Sequence, residues 1–242
     1  MTWFDHLLIL ALLIGLPAHA AWHVPRLARR VAMDPAHART NDYLWTIALQ
    51  WTLTLILLGW WRYVARPLAA LGLVAPQGEN RLWTVVVTAA VAAFFASQAR
   101  TVARSPTAQA RVRAQLDAQP SVRVILPATP GEMRMFAALG VTAGICEEIL
   151  YRGYLLYYLR AGLSATAAVV AAIVIFALAH AYQGRRGILL TGIAGAAAMG
   201  MYVSTRSLAA SIVMHATVDL ANGYLAYRAL SAAPAAAPAP PA

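Results

Sequence analysis

The apolar residues of this chain are gathered into seven long blocks, and this grouping constrains the fold more than any other feature. Each block has about 17 to 25 residues, the length of an α-helix that crosses the hydrocarbon core of a bilayer. The composition agrees, because 61% of the 242 residues are hydrophobic and 12% are charged, against about 25% charged in soluble domains. We therefore expect an all-α fold, a polytopic bundle of about seven transmembrane helices. The predicted spans are residues 4–22, 43–64, 82–98, 134–159, 165–182, 187–204 and 207–227.

The longest connection, residues 99–132, is polar and rich in arginine, and it precedes the fourth predicted span. Apolar residues alternate with its arginines, which predicts a short amphipathic helix lying on the membrane surface. Residues 232–242 contain only alanine and proline. A segment of this composition cannot bury a core, so we expect a disordered tail. With no internal repeat, residues 1–231 are expected to form a single membrane-embedded domain.

The net charge of +10 comes entirely from arginine, since the chain has no lysine. On a soluble protein this charge would indicate nucleic acid binding. Here most arginines lie in the connections after the first, third and fifth predicted spans, so anionic lipid headgroups and membrane topology explain them better. The positive-inside rule then predicts an external N-terminus and a cytoplasmic C-terminus. We expect a multi-pass protein of a bacterial inner (plasma) membrane, with no nucleic acid partner.

Two adjacent glutamates, Glu147 and Glu148, lie near the middle of the fourth predicted span. An ionised carboxylate at mid-membrane costs about 2.5–3.5 kcal/mol on insertion scales. Arg152 follows Glu148 by four residues, so these two side chains share a helix face and can form an ion pair. Glu147 points about 100° away around the helix axis and is left free to act as a general base. The simpler alternative is an ion pair that only stabilises the helix.

Two histidines also fall inside predicted spans. His180 follows Phe176 by one turn, and His215 precedes Asp219 by one turn. Either histidine alone is typical of a hydrogen bond between helices. Together with the glutamates, they place polar groups on three separate helices, and a bundle can bring such groups into one cavity.

The stretches "EEILYR", "FALAH" and "HATVD" resemble the three-part signature of the CPBP family, the CAAX proteases and bacteriocin-processing enzymes. That signature is E-E-x-x-x-R, then F-x-x-x-H, then H-x-x-x-N/D. The resemblance covers roughly residues 130–227, the expected catalytic core. It implies an intramembrane endopeptidase related to CAAX prenyl protease type 2, acting on a membrane-associated or lipidated peptide or protein.

The resemblance also implies roles for the residues that match its motifs. Glu147 looks like the general base that activates the attacking water, with His180 holding that water. Glu148 and Arg152 would fix the helix and orient Glu147.

His215 and the residue four positions later would stabilise the oxyanion of the tetrahedral intermediate. The prenyl-protease branch has asparagine at that later position, whereas this chain has Asp219. An ionised aspartate cannot donate a hydrogen bond to an oxyanion. It could hold His215 as an imidazolium that donates instead, or it could stay protonated and donate itself. This departure lowers the expectation of a prenylated substrate.

Several alternatives stay open at this point. Glu147, His180 and His215 could bind zinc with one open position, although the chain lacks the H-E-x-x-H spacing, so we expect no cofactor and keep zinc as the alternative. Cys146 could be a thiol nucleophile, but a small buried hydrophobic residue explains it better. In place of an enzyme, the chain could be a proton-coupled transporter, or a non-catalytic membrane partner such as a bacteriocin-immunity-type protein.

Overall fold

The computed structural model of this chain describes residues 1–231, so the predicted disordered tail at 232–242 lies outside the described residues. Within residues 1–231 the structure contains helices, turns and loops and no β-strand, which confirms the all-α prediction. The α-helices are α1 (Trp3–Leu10), α2 (Leu16–Met33), α3 (Ala38–Tyr63), α4 (Arg81–Arg104), α5 (Pro106–Asp117), α6 (Pro120–Arg123), α7 (Pro130–Glu147), α8 (Leu156–Leu159), α9 (Ala165–Ala179), α10 (Gly184–Thr205) and α11 (Ala209–Ser231). Two π-helical segments, Ala11–Gly15 and Glu148–Leu155, join α1 to α2 and α7 to α8, and short 3₁₀ turns lie at Leu68–Leu71 and Ala181–Gln183.

Within residues 1–231 these elements make a bundle of seven long helical segments that correspond to the seven predicted spans. The first segment, Trp3–Met33, continues beyond its predicted end at residue 22, so Arg26, Arg29 and Arg30 lie on a helix and not in a loop. Four of the segments are long and apolar enough to cross a membrane: Trp3–Met33, Ala38–Tyr63, Arg81–Arg104 and Ala181–Thr205. The remaining three are α9, which is apolar but short, α11, and the continuous helix formed by α7, the second π-helical segment and α8. That continuous helix and α11 carry Glu147, Glu148, Arg152, His215 and Asp219, whose charges lower the hydropathy of their helices.

One end of the bundle gathers the three connections that the arginine distribution assigns to the cytoplasmic face. We call this the arginine-rich end. It is formed by residues 34–37, 105–129 and 180–183 and by the helix ends that adjoin them, which carry Arg29, Arg30, Arg39, Arg104, Arg185 and Arg186. Val24, Leu27 and Val124 form an apolar cluster there, with Tyr182 packed against it. Three connections that alternate along the chain therefore lie on one side, as a bundle that crosses a membrane repeatedly requires.

The polar connection before the fourth long segment forms two helices, α5 and α6, where its pattern predicts one short helix. Ser105 caps α5 by accepting a hydrogen bond from the Ala108 amide. Leu116 on α5 packs in a cluster with Tyr43, Phe136 and Ala226, which lie on α3, α7 and α11. The segment is therefore amphipathic, and its apolar face packs on α3, α7 and α11.

The beginning of α7 is fixed by a capping box at Thr129 and Glu132. The Glu132 carboxylate is buried, accepts hydrogen bonds from the backbone amides of Ala128 and Thr129, and pairs with Arg39 at 3.2 Å. Because the carboxylate neutralises unpaired N–H groups at the helix N-terminus, this start position is well determined.

A close approach between α7 and α11 brings His215, on α11, near the two glutamates at the end of α7. A Cβ atom on Gly144 would lie 2.9 Å from the Ala216 backbone nitrogen, so no larger residue fits without moving a helix. Small residues allow this kind of backbone contact in membrane helices. Because Ala216 follows His215 directly, the contact turns His215 toward the residues just after α7.

Candidate functional site

The adjacent glutamates lie at a change of helix type. Glu147 is the last residue of α7, and Glu148 opens the π-helical segment Glu148–Leu155, in which every residue is buried. Single π-helical turns inside α-helices occur frequently at functional sites. Here the change of helix type falls between two neighbouring carboxylates, and the structure gives each of them its own set of partners.

Glu148 is fully buried and binds two cationic or ionisable side chains through one oxygen. Its Oε1 lies 3.0 Å from Arg152 Nη1 and 2.9 Å from His215 Nδ1. The Arg152 guanidinium also lies 3.7 Å from the centroid of the Phe176 ring, a cation–π contact between two helices. Glu148 therefore joins its own helix to α11 through His215.

Glu147 has a different environment. Its Oε1 accepts a hydrogen bond of 2.9 Å from Gln50 Nε2 on α3. Its Oε2 lies 3.8 Å from His180 Nε2 and has no hydrogen-bond partner within residues 1–231. A separation of 3.8 Å is too long for a direct hydrogen bond. The two groups are therefore neighbours, and Oε2 keeps its lone pairs available.

His180 is positioned by the end of its own helix. It is the residue after α9, and its Nδ1 lies 2.9 Å from the Phe176 carbonyl oxygen. A carbonyl oxygen can only accept a hydrogen bond, so Nδ1 carries the proton in this contact. The other ring nitrogen, Nε2, is then the one that faces Glu147.

His215 lies between two carboxylates. Its Nδ1 contacts Glu148, and its Nε2 lies 3.6 Å from Asp219 Oδ2, on the same face of α11. The second distance exceeds that of a hydrogen bond, so His215 and Asp219 are neighbours without a direct hydrogen bond. The Phe176 ring packs against both imidazoles, with centroids 4.8 Å from His180 and 6.1 Å from His215.

All six residues singled out from the sequence line one cavity of about 500 Å³. They are Glu147, Glu148, Arg152, His180, His215 and Asp219. The walls continue toward the arginine-rich end, where residues of α5 such as Val112 and Leu116, and Tyr182 after α9, contribute to the lining. The structure therefore brings groups from three parts of the sequence together, in a cavity with mostly apolar walls.

Cys146 is buried and free, and it does not line this cavity. A thiol that cannot reach the cavity cannot attack a substrate held there. We expect Cys146→Ala to keep the turnover of the unmodified protein, because it removes one sulfur from a packed position and no group from the site. Initial rates of peptide cleavage measure this, and a complete loss of activity in a folded variant would restore the thiol mechanism.

The zinc alternative requires at least three ligands arranged around one point. Across residues 1–231, no three His, Cys, Asp or Glu side chains are grouped so that they could hold a metal ion. His215 Nδ1 is already engaged by Glu148, and its Nε2 faces Asp219. The side chains as they stand do not fit a zinc site.

Sequence reasoning missed Gln50, the residue that binds Glu147. A signal for it exists in α3, where Asp42, Thr46, Gln50 and Thr54 recur at intervals of four residues along an otherwise apolar helix. Such a polar row marks one face of a helix, and in a membrane that face must point into the bundle.

Comparison with known proteins identifies the same part of the chain. A family model described as type II CAAX prenyl endopeptidase, Rce1-like, matches residues 129–221. This range begins at the residue that caps α7 and includes all six predicted site residues. No curated protein and no solved structure matches the chain. The family match falls on the ordered motifs, and those motifs meet in one cavity of a membrane helix bundle. Through its residues 129–221, this chain is similar to the type II CAAX prenyl endopeptidases that the family model describes.

Proposed function

We propose that this protein is an intramembrane endopeptidase in which Glu147 activates a water molecule to hydrolyse a peptide bond. The observation that carries the proposal is the convergence of Glu147, His180 and His215, from three separate helices, on one cavity of about 500 Å³. Buried ionisable groups are costly in a membrane. A protein that only needed a stable bundle would gain little from bringing three of them together.

Glu147 and His180 suit the formation of the nucleophile. A water molecule between Glu147 Oε2 and His180 Nε2 gives a proton to the carboxylate, and its oxygen attacks the carbonyl carbon of the scissile bond. The protonated Glu147 then gives that proton to the departing amine as the carbon–nitrogen bond breaks. The carboxylate returns to its starting state, and the products are an acid and an amine.

His215 suits the stabilisation of the oxyanion. Two carboxylates, Glu148 and Asp219, lie on either side of its ring, and they favour the imidazolium form, in which both nitrogens donate. Nδ1 donates to Glu148, so Nε2 can donate to the developing oxyanion, which is the kind of preorganised contact that lowers the barrier of acyl transfer. In this scheme Asp219 holds the charged form of His215 and does not itself donate.

The lining of the cavity also favours one class of substrate. Its walls are mostly apolar and lie inside a helical bundle, which suits a membrane-associated or lipidated peptide or protein delivered from the lipid bilayer. The proposed location is a bacterial plasma membrane, with the arginine-rich end in the cytoplasm. In this proposal the protein requires no cofactor and binds no nucleic acid.

Purified protein in detergent micelles tests this function directly. We expect it to cleave membrane-associated peptides, with cleavage read by mass spectrometry, and to keep its activity in a strong chelator. Activity that is lost on chelation and restored by zinc would favour the metal mechanism. A folded protein that cleaves none of a broad peptide panel would favour a proton-coupled transporter or a non-catalytic partner.

A further inference from the structure

The catalytic cavity has a wall that the family motifs do not include. Gln50 lies on α3, outside the matched residues 129–221, and its side chain lines the cavity beside Glu147. The amide Nε2 donates a hydrogen bond of 2.9 Å to Glu147 Oε1. Within residues 1–231, the other oxygen of Glu147, Oε2, has no hydrogen-bond partner.

The orientation of the Gln50 amide follows from its partner. An ionised carboxylate only accepts hydrogen bonds, so the amide nitrogen must face Glu147 and the amide oxygen must point away. That oxygen, Gln50 Oε1, is buried and has no hydrogen-bond partner among the described residues. A buried polar atom left without a partner costs stability. The Gln50 side chain therefore loses a hydrogen bond at its oxygen and makes one to Glu147 through its nitrogen.

The hydrogen bond makes the two oxygens of Glu147 different. Oε1 is held by Gln50, while Oε2 has no hydrogen-bond partner in the described part of the chain and lies on the side of His180. A carboxylate can otherwise rotate about its terminal bond, because that torsion is broad. With one oxygen fixed, the carboxylate plane is fixed, and the other oxygen is aimed at the position of the attacking water.

We propose that Gln50 is a positioning residue that orients the Glu147 carboxylate for proton transfer. This inference rests on the proposed function, and it assigns a role to a helix from the first hundred residues, which the family match leaves out. The same contact serves both halves of the reaction. Oε2 takes a proton from water, and the held carboxyl group then presents that proton to the departing amine.

Replacing Gln50 by methionine tests the role, because methionine has a similar length and volume but no N–H group. A hydrogen bond to a charged group contributes enough that its loss should lower kcat roughly ten- to a hundredfold. KM should change little, because the Gln50 amide N–H is already used by Glu147. The variant Gln50→Leu, which also lacks an N–H group, should lose as much. It also serves as the second test if methionine impairs folding.

Trp51→Phe is the matched control. Trp51 Nε1 donates to Thr142 Oγ1 at 3.3 Å, so this variant removes another hydrogen bond between α3 and α7 without touching Glu147. We expect Trp51→Phe to keep kcat, with thermal unfolding measured for all variants. An equal loss of kcat in Trp51→Phe and Gln50→Met would overturn the proposal, because it would assign the effect to helix packing.

Full activity of Gln50→Met, or a higher KM at constant kcat, would also overturn the proposal. If those results came with an inactive Glu147→Gln variant, they would overturn the role of Gln50 and leave the protease assignment intact.

Discussion

Replacing Glu147 by glutamine should leave a folded protein that no longer cleaves peptides. Glutamine has the same shape as glutamate, but its amide cannot take a proton from water, so the nucleophile does not form. General base catalysis contributes about 10²–10⁴-fold to a rate. We expect a loss near the upper end, because Glu147 is the carboxylate that faces His180 in the described structure. The measurement is the initial rate of peptide cleavage in detergent, for the original protein and the variant at equal concentration.

Arg26→Ala is the control for this experiment. Arg26 is half-buried on α2. It donates to the Trp22 carbonyl oxygen and stacks on the Trp22 ring at 4.0 Å, away from the cavity. Its removal deletes a charge from the protein without changing the site, so the cleavage rate should be kept. If Glu147→Gln still cleaved peptides as fast as Arg26→Ala, Glu147 could not be the base, and the proposed mechanism would be wrong.

Replacing Arg152 by methionine should strongly destabilise the protein. Arg152 and Glu148 are both buried, 2% and 0% exposed, and their charges lie 3.0 Å apart. Removing one partner of a buried ion pair leaves the other charge uncompensated, at a cost on the order of 3–5 kcal/mol. Methionine keeps much of the contact with the Phe176 ring, so the loss reports mainly the missing charge. Cleavage should fall as well, because Glu148 also holds His215.

A double variant separates the charge from the packing. In Glu148→Gln combined with Arg152→Met, no buried charge lacks its partner, and the new amide oxygen can still accept from His215 Nδ1. We expect the double variant to unfold at a higher temperature than Arg152→Met alone, although its activity should stay low. Arg160→Met, which removes an exposed arginine near the end of the same helix, should change the free energy of unfolding by about 0.5 kcal/mol or less. If the losses in free energy of unfolding of Glu148→Gln and Arg152→Met were additive in the double variant, the ion pair would not be the source of the destabilisation.

Local geometry explains why much of the site could be predicted. Glu148 with Arg152, and His215 with Asp219, are pairs four residues apart on single helices, and helix periodicity alone places such side chains on one face. The structure gives these pairs distances of 3.0 Å and 3.6 Å. The fold class followed from block length for a similar reason, because the bilayer sets how many apolar residues a helix needs.

The π-helical segment at Glu148–Leu155 could not be predicted in the same way. Apolar periodicity distinguishes a helix from a strand, but it does not resolve one widened turn. Its position matters because it begins between Glu147 and Glu148, the two carboxylates with different partners. A straight α-helix would also separate them by about 100°, but it would not indicate which helix each one faces.

The sequence by itself determined that this is a membrane bundle, where its long helices lie, and which residues carry the family motifs, because these depend on block length, spacing and order along the chain. Only the tertiary structure decided which side chains from different helices meet. Gln50 and Glu147 are 97 positions apart, and their contact depends on how α3 packs against α7. His215 reaches Glu148 because Gly144 lets α11 approach α7 closely. Contacts of this kind arise from the packing of whole helices, and no spacing within one helix specifies them.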